Sequence, residues 1–81
     1  MKITIESTTK IVELALHAGF DPARISARIW EGQTDSGIPV HCYVTRIAVD
    51  LDQDCAQFER ELKQQRAPSA AVEAIPLRMI L

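Results

Sequence analysis

The sequence predicts an α+β domain, a small antiparallel sheet of about four to five strands with one main helix packed on one face, in the order β-β-β-β-α-β. Three observations predict it. Several short stretches alternate apolar and polar residues with period two, as half-buried strands do. One stretch, Leu51, Cys55, Phe58 and Leu62, repeats at helical spacing and makes a single apolar stripe. Gly, Pro and Asp punctuate the segments between. The 81 residues are read as one domain, 1–81, with no room for a second core.

Lys2 to Glu6 alternates and reads as a strand, which Ser7-Thr8-Thr9 interrupts. Residues 10–18 are ambiguous: Val12, Leu14 and Leu16 alternate as in a strand, while Glu, Leu and Ala favour a helix between a Thr9 and a Gly19 cap. Phe20-Asp21-Pro22-Ala23 is a turn signal. Arg24 to Glu31 is the next strand, with Ile25, Ala27 and Ile29 on one face and Ser26, Arg28 and Trp30 on the other. Gly32 to Gly37 then forms the connection, its two glycines able to adopt positive φ and its backbone N–H groups a possible cradle for an anion. Ile38 to Val49 is a long β-branched strand that turns Ile38, Val40, Cys42 and Val44 inward and Pro39, His41, Tyr43 and Thr45 outward. A bulge near Thr45-Arg46 reconciles this phase with Ile47. The helix runs from the acidic cap at Asp50–Asp54 to about Gln65, its stripe lying on the sheet. Ser69 caps a short turn through Glu73, and Pro76 to Leu81 closes the sheet or reaches another subunit.

Bulk properties narrow the chemistry. A formal charge of −2 and a pI near 5.6 exclude general nucleic-acid binding, which needs a basic face. No apolar run approaches a membrane span, and MKITIESTTK lacks the apolar core of a signal peptide, so the expected compartment is the cytoplasm. Cys42 and Cys55 have no metal or redox spacing and read as reduced, buried thiols. Asp50, Asp52, Asp54 and Glu61 imitate a calcium loop, but Cys55 stands where its sharp turn needs Gly, and Phe58 belongs to the apolar stripe. His41 and Cys42, adjacent in a strand, point to opposite faces and make a poor chelate. With no paired catalytic carboxylates, phosphate loop or nucleophile elbow, no catalytic residue, metal or cofactor is assigned, and the chain reads as a non-enzyme.

The rare residues concentrate between Ile29 and Ile47, which hold the sole Trp and Tyr. Arg28, Trp30, His41, Tyr43 and Arg46 form the candidate ligand site: an aromatic ring stacks a planar group, and guanidinium forks pair phosphate. The competing reading is that Trp30 and Tyr43 pack beneath a loop or a dimer partner. One helix covers only one face of a sheet, so water, a ligand or a second copy covers the other.

The strings Ala27-Arg28-Ile29-Trp30-Glu31-Gly32, Thr34-Asp35-Ser36-Gly37, Thr45-Arg46-Ile47-Ala48-Val49, Gln57-Phe58-Glu59-Arg60-Glu61-Leu62 and Pro76-Leu77-Arg78-Met79-Ile80-Leu81 resemble a group of short phage and prophage proteins. That resemblance implies two strands joined by a turn before Trp30, and so favours strand over helix for residues 10–18. By size and basic-aromatic chemistry, without a shared motif, the chain is also similar to phage counter-defence sponges of the anti-Thoeris and anti-CBASS kind. These resemblances imply a homo-oligomer that binds a small anionic ligand such as a signalling nucleotide. A module that binds a host protein by β-augmentation and a minor structural phage protein are the alternatives.

Overall fold

A computed structural model describes the backbone of residues 1–18, 21–76 and 78–80, and side chains outside 16–23 and 77–81. Three strands, β1 (Ile3–Ala18), β2 (Asp21–Thr34) and β3 (Pro39–Val44), form an antiparallel sheet. A short fourth, β4 (Arg78–Ile80), pairs parallel with β1, giving the order β3-β2-β1-β4. Between β3 and β4 lie the helices α1 (Cys55–Leu62) and α2 (Ala70–Glu73).

Residues 10–18 are strand, and they belong to the same strand as residues 3–6. The Ser-Thr-Thr interruption is a bulge inside β1: Ser7 pairs with Trp30 and Ile11 with Arg28, so Thr8, Thr9 and Lys10 together face Ile29. The fully buried Thr8 hydroxyl donates to the Ile29 carbonyl at 2.6 Å, replacing the ladder bond that the bulge removes. The bulge also opens β1 on its other side. Arg66 docks there, its N–H donating to the Ser7 carbonyl at 3.1 Å while its own carbonyl accepts from Thr9 N at 3.0 Å.

Strand β2 is longer than its alternation suggested. Asp21, Pro22 and Ala23, expected as a turn, pair with β1, whereas Phe20 lies outside the described residues. Gly32 is likewise strand rather than turn. It pairs with Ile5 and Val40, and a Cβ there would lie 1.7 Å from the Thr4 carbonyl oxygen, so only glycine allows β1 to approach. The turn is confined to Asp35–Ile38, and among the described residues Gly37 alone has positive φ, 87°. Strand β3 ends at Val44, not Val49, and the bulge expected at Thr45-Arg46 is absent because the chain leaves the sheet there.

The pairing of Ile29 with Tyr43 and of Trp30 with Cys42 settles the faces. Directly opposed residues share a face, so Tyr43 and His41 lie with Ala27, Ile29 and Glu31. Trp30 and Arg28 lie with Val40, Cys42 and Val44. The expected inward phase of β3 is therefore reversed. Tyr43 packs on the core of Val12, Leu14, Ala27, Ile29 and Val72, while Ile38 is 60% exposed and Cys42 half-buried.

The cover of this core is also not the expected one. The long amphipathic segment forms α1 only from Cys55, because Asp54 Oδ1 caps it by accepting from Gln57 N at 3.1 Å. No residue of α1 is buried; Leu51 and Cys55 are exposed, and Leu62 is 37% exposed. The four-residue α2 covers the core instead, through Val72 and Ile75.

Candidate functional site

Two constellations organise the molecule. The first is a polar lock on the core face, centred on Glu31, which the strand alternation left as an ordinary polar position. Glu31 is 9% exposed. Its Oε1 accepts from Arg66 Nη1 at 2.6 Å and Ser69 N at 2.7 Å, and its Oε2 accepts from Ser69 Oγ at 2.7 Å. Arg66 Nη2 also donates to the Glu31 carbonyl at 3.3 Å, and its Nε sits 3.4 Å from Glu6. Burial works against ionisation of Glu31. The hydrogen bonds from Arg66 and from the Ser69 side chain and backbone outweigh it and hold the carboxyl below its ordinary value of 4.5. Ser69 does double duty, since its Oγ also accepts from Val72 N at 3.4 Å as the cap of α2. One carboxylate thus fixes both the α2 cap and the Arg66 segment.

The second constellation is a cleft on the opposite face. Ser7, Arg28, Trp30, Val44, Thr45, Arg46, Ile47, Leu62 and Gln65 line a hollow of about 210 Å³. Strands β1 and β2 supply its floor, the chain leaving β3 supplies Thr45 to Ile47, and the end of α1 supplies Leu62 and Gln65. Arg28 is half-buried, with Nη1 donating to the Thr8 carbonyl at 2.9 Å, so the bulge holds its guanidinium in place. Arg46 is exposed. Ser7 is 7% exposed, and its Oγ is buried with no hydrogen-bond partner among the described residues. A second hollow of about 320 Å³ adjoins across Ser7, Trp30 and Gln65, walled by Glu6, Glu61, Gln64 and Arg66.

The five predicted site residues therefore separate. Arg28, Trp30 and Arg46 come together in the cleft. His41 and Tyr43 stand on the other face, where His41 Nε2 and Tyr43 Oη are 3.1 Å apart and the rings meet edge-on at 84°. Ser7, Gln65 and Glu31 are the residues that sequence reasoning missed. Glu31 had a signal, because it continues the inward phase of Ile25, Ala27 and Ile29, and an inward acid needs partners. Ser7 and Gln65 had none, since only the bulge and the docking of Arg66 bring them to Trp30.

Both cysteines are free, and the described residues hold no group of three or more His, Cys, Asp or Glu side chains arranged for a metal. No described helix is long and apolar enough to cross a membrane. No protein-family model, curated protein or solved structure matches the chain.

Proposed function

We propose that the protein is a non-enzymatic binding protein of phage or prophage origin that holds a small anionic ligand, such as a signalling nucleotide, in the cleft beside Trp30 and acts in the host cytoplasm. The observation that carries this reading is the hollow itself, which brings two arginines, Arg28 and Arg46, to the sole Trp. Arg28 and Arg46 pair the anionic group, and Trp30 stacks the planar one. The volume limits the enclosed part. About 210 Å³ falls below the roughly 300–1,000 Å³ of pockets that enclose drug-sized ligands, so the hollow takes a phosphate with a ribose, or one base. The adjoining hollow, with Glu6 and Glu61 in its wall, repels phosphate and suits the hydroxyl or amine end of the same molecule.

Because Trp30 is the only Trp, its fluorescence reports the cleft directly. Titration with cyclic mono- and dinucleotides and ADP-ribose isomers is expected to change that fluorescence and to raise the melting temperature in parallel. Arg46→Ala is expected to weaken binding about tenfold, roughly 1.4 kcal/mol, with no change in the melting point of the free protein. Constant fluorescence and melting across the panel overturn the reading.

A further inference from the structure

We propose that the outer edge of β3 pairs antiparallel with β3 of a second copy, about a two-fold axis perpendicular to the sheet at Cys42, joining two four-stranded sheets into one of eight strands. The inference stands apart from the ligand reading and begins with an edge. Strand β3 pairs with β2 on one side, and among the described residues nothing pairs with its other side. An exposed edge is a template for another strand, and monomeric proteins blunt it with charged side chains, bulges or a covering loop. This edge carries little of that protection. Ser36 to Thr45 is the longest stretch of the chain without Asp, Glu, Lys or Arg, and Val40, Tyr43 and Val44 are β-formers with no bulge among them. Pro39 at the strand start is its only guard.

Surface area says how large the cover is. A folded monomer of 9.0 kDa exposes about 4,850 Å², whereas this chain exposes 6356 Å², an excess of roughly 1,500 Å². A standard interface buries about 800 Å² per partner, and obligate homodimers bury more than about 1,000 Å². The excess is spread over the chain, Met1 and Leu51 included, and a strand pairing with its flanking side chains draws on part of it. An identical strand is the occupant that an isologous edge fits without any further adaptation.

Symmetry then restricts the register. A two-fold perpendicular to the sheet leaves each face on its own side, so a residue on the axis must oppose itself. In a six-residue strand the central choices are His41 and Cys42. Centring on His41 opposes two imidazoles and brings Pro39, which has no N–H to donate, into the ladder. Centring on Cys42 leaves Pro39 outside, sets Val40 opposite Val44, and sets His41 opposite Tyr43 of the other copy. The edge-on His41–Tyr43 contact then continues across the axis as a row of four rings. Both Trp30 clefts would lie on one face of the joined sheet.

Sedimentation velocity of the wild-type chain without nucleotide should report a species of twice 9.0 kDa. In a Cys55→Ser background, a short bis-maleimide should link two chains through Cys42, and the amides of His41 and Tyr43, which alternation points away from β2, should exchange slowly with solvent. Cys42→Ser should remain dimeric, whereas Cys42→Lys, which opposes two ammonium groups on the axis, should weaken dimerisation at least about tenfold. A wild-type sedimenting at 9.0 kDa overturns the proposal. So does a dimer whose His41 and Tyr43 amides exchange freely and whose Cys42 does not link. If Cys42→Lys fails to fold, the cross-link and exchange pattern decide. The outcome is independent of any nucleotide, so failure here leaves the ligand reading to its own titration.

Discussion

Replacing Glu31 with Gln tests the lock with little change in shape. The carboxylate accepts three hydrogen bonds of 2.6–2.7 Å, from Arg66 Nη1, Ser69 N and Ser69 Oγ. Bonds to a charged group contribute about 1.5–3 kcal/mol each, and a buried donor left unpaired costs about 1–3 kcal/mol. A Gln side chain keeps one carbonyl oxygen as acceptor but turns an NH₂ group toward donors it cannot serve, so about one charge-assisted bond is lost and the others weaken. The expected destabilisation is about 2–4 kcal/mol, a large share of the roughly 5–15 kcal/mol that holds a domain folded. For a domain of this size each kcal/mol lowers the melting point by about 4–8 °C. Urea and thermal unfolding measure the loss.

The pH dependence supplies a second, more specific signature. Because the folded-state pKa of Glu31 lies below 4.5, its stabilising effect is complete above the unfolded-state value. That effect is lost as pH falls through the folded-state value, as protonation removes the charge from a site built to accept hydrogen bonds. Wild-type and Glu31→Gln should therefore differ most near neutrality and converge below pH 4.5, toward the lowered value. A neutral-pH difference under about 0.5 kcal/mol, within the range of ordinary surface substitutions, would refute the assignment of Glu31 as the lock. An unaltered gap across the acid range would refute the charge-based part of it.

Three further outcomes follow from particular contacts. Gly32→Ala drives a methyl group into the Thr4 backbone, so it should cost more than about 3 kcal/mol or prevent β1 from closing, as circular dichroism and urea midpoints would show. Ser7→Ala removes a buried hydroxyl that has no hydrogen-bond partner among the described residues, so urea unfolding should show stability unchanged or up to about 1 kcal/mol higher. Leu51→Ser should shift stability of the isolated chain by less than about 0.5 kcal/mol, since Leu51 is fully exposed, and a loss above 2 kcal/mol would restore the helix-on-sheet packing that the periodicity implies.

Much of the fold was legible because local physics fixes it. Alternation marked strand within β1, β2 and β3 without fixing their bounds, the acidic run contained the α1 cap at Asp54, and Ser69 was recognisable as the cap of α2. Arg28, Trp30 and Arg46 were grouped from the basic and aromatic residues of one hairpin, and the fold brings these three to one hollow. The His41 and Tyr43 assignments failed for a register reason. Phase within a strand shows which residues share a face, but not which face of the neighbour they meet. That depends on where β2 ends and the turn begins, and Gly32 looked like turn when it was strand.

By itself, the sequence determined an α+β chain and a rare-residue hairpin with arginine and Trp on one face, but not the bounds of its strands. The tertiary structure alone decided that Thr8 closes a bulge, that Glu31 gathers Arg66 and Ser69, and that α2 rather than α1 contributes to the core. It also decided that Ser7 and Gln65 complete the cleft. The physical reason is separation along the chain. Periodicity and capping act over a few residues, whereas Glu31 meets Ser69 across 38 positions and Thr8 meets Ile29 across 21, distances at which only the closed sheet brings partners together.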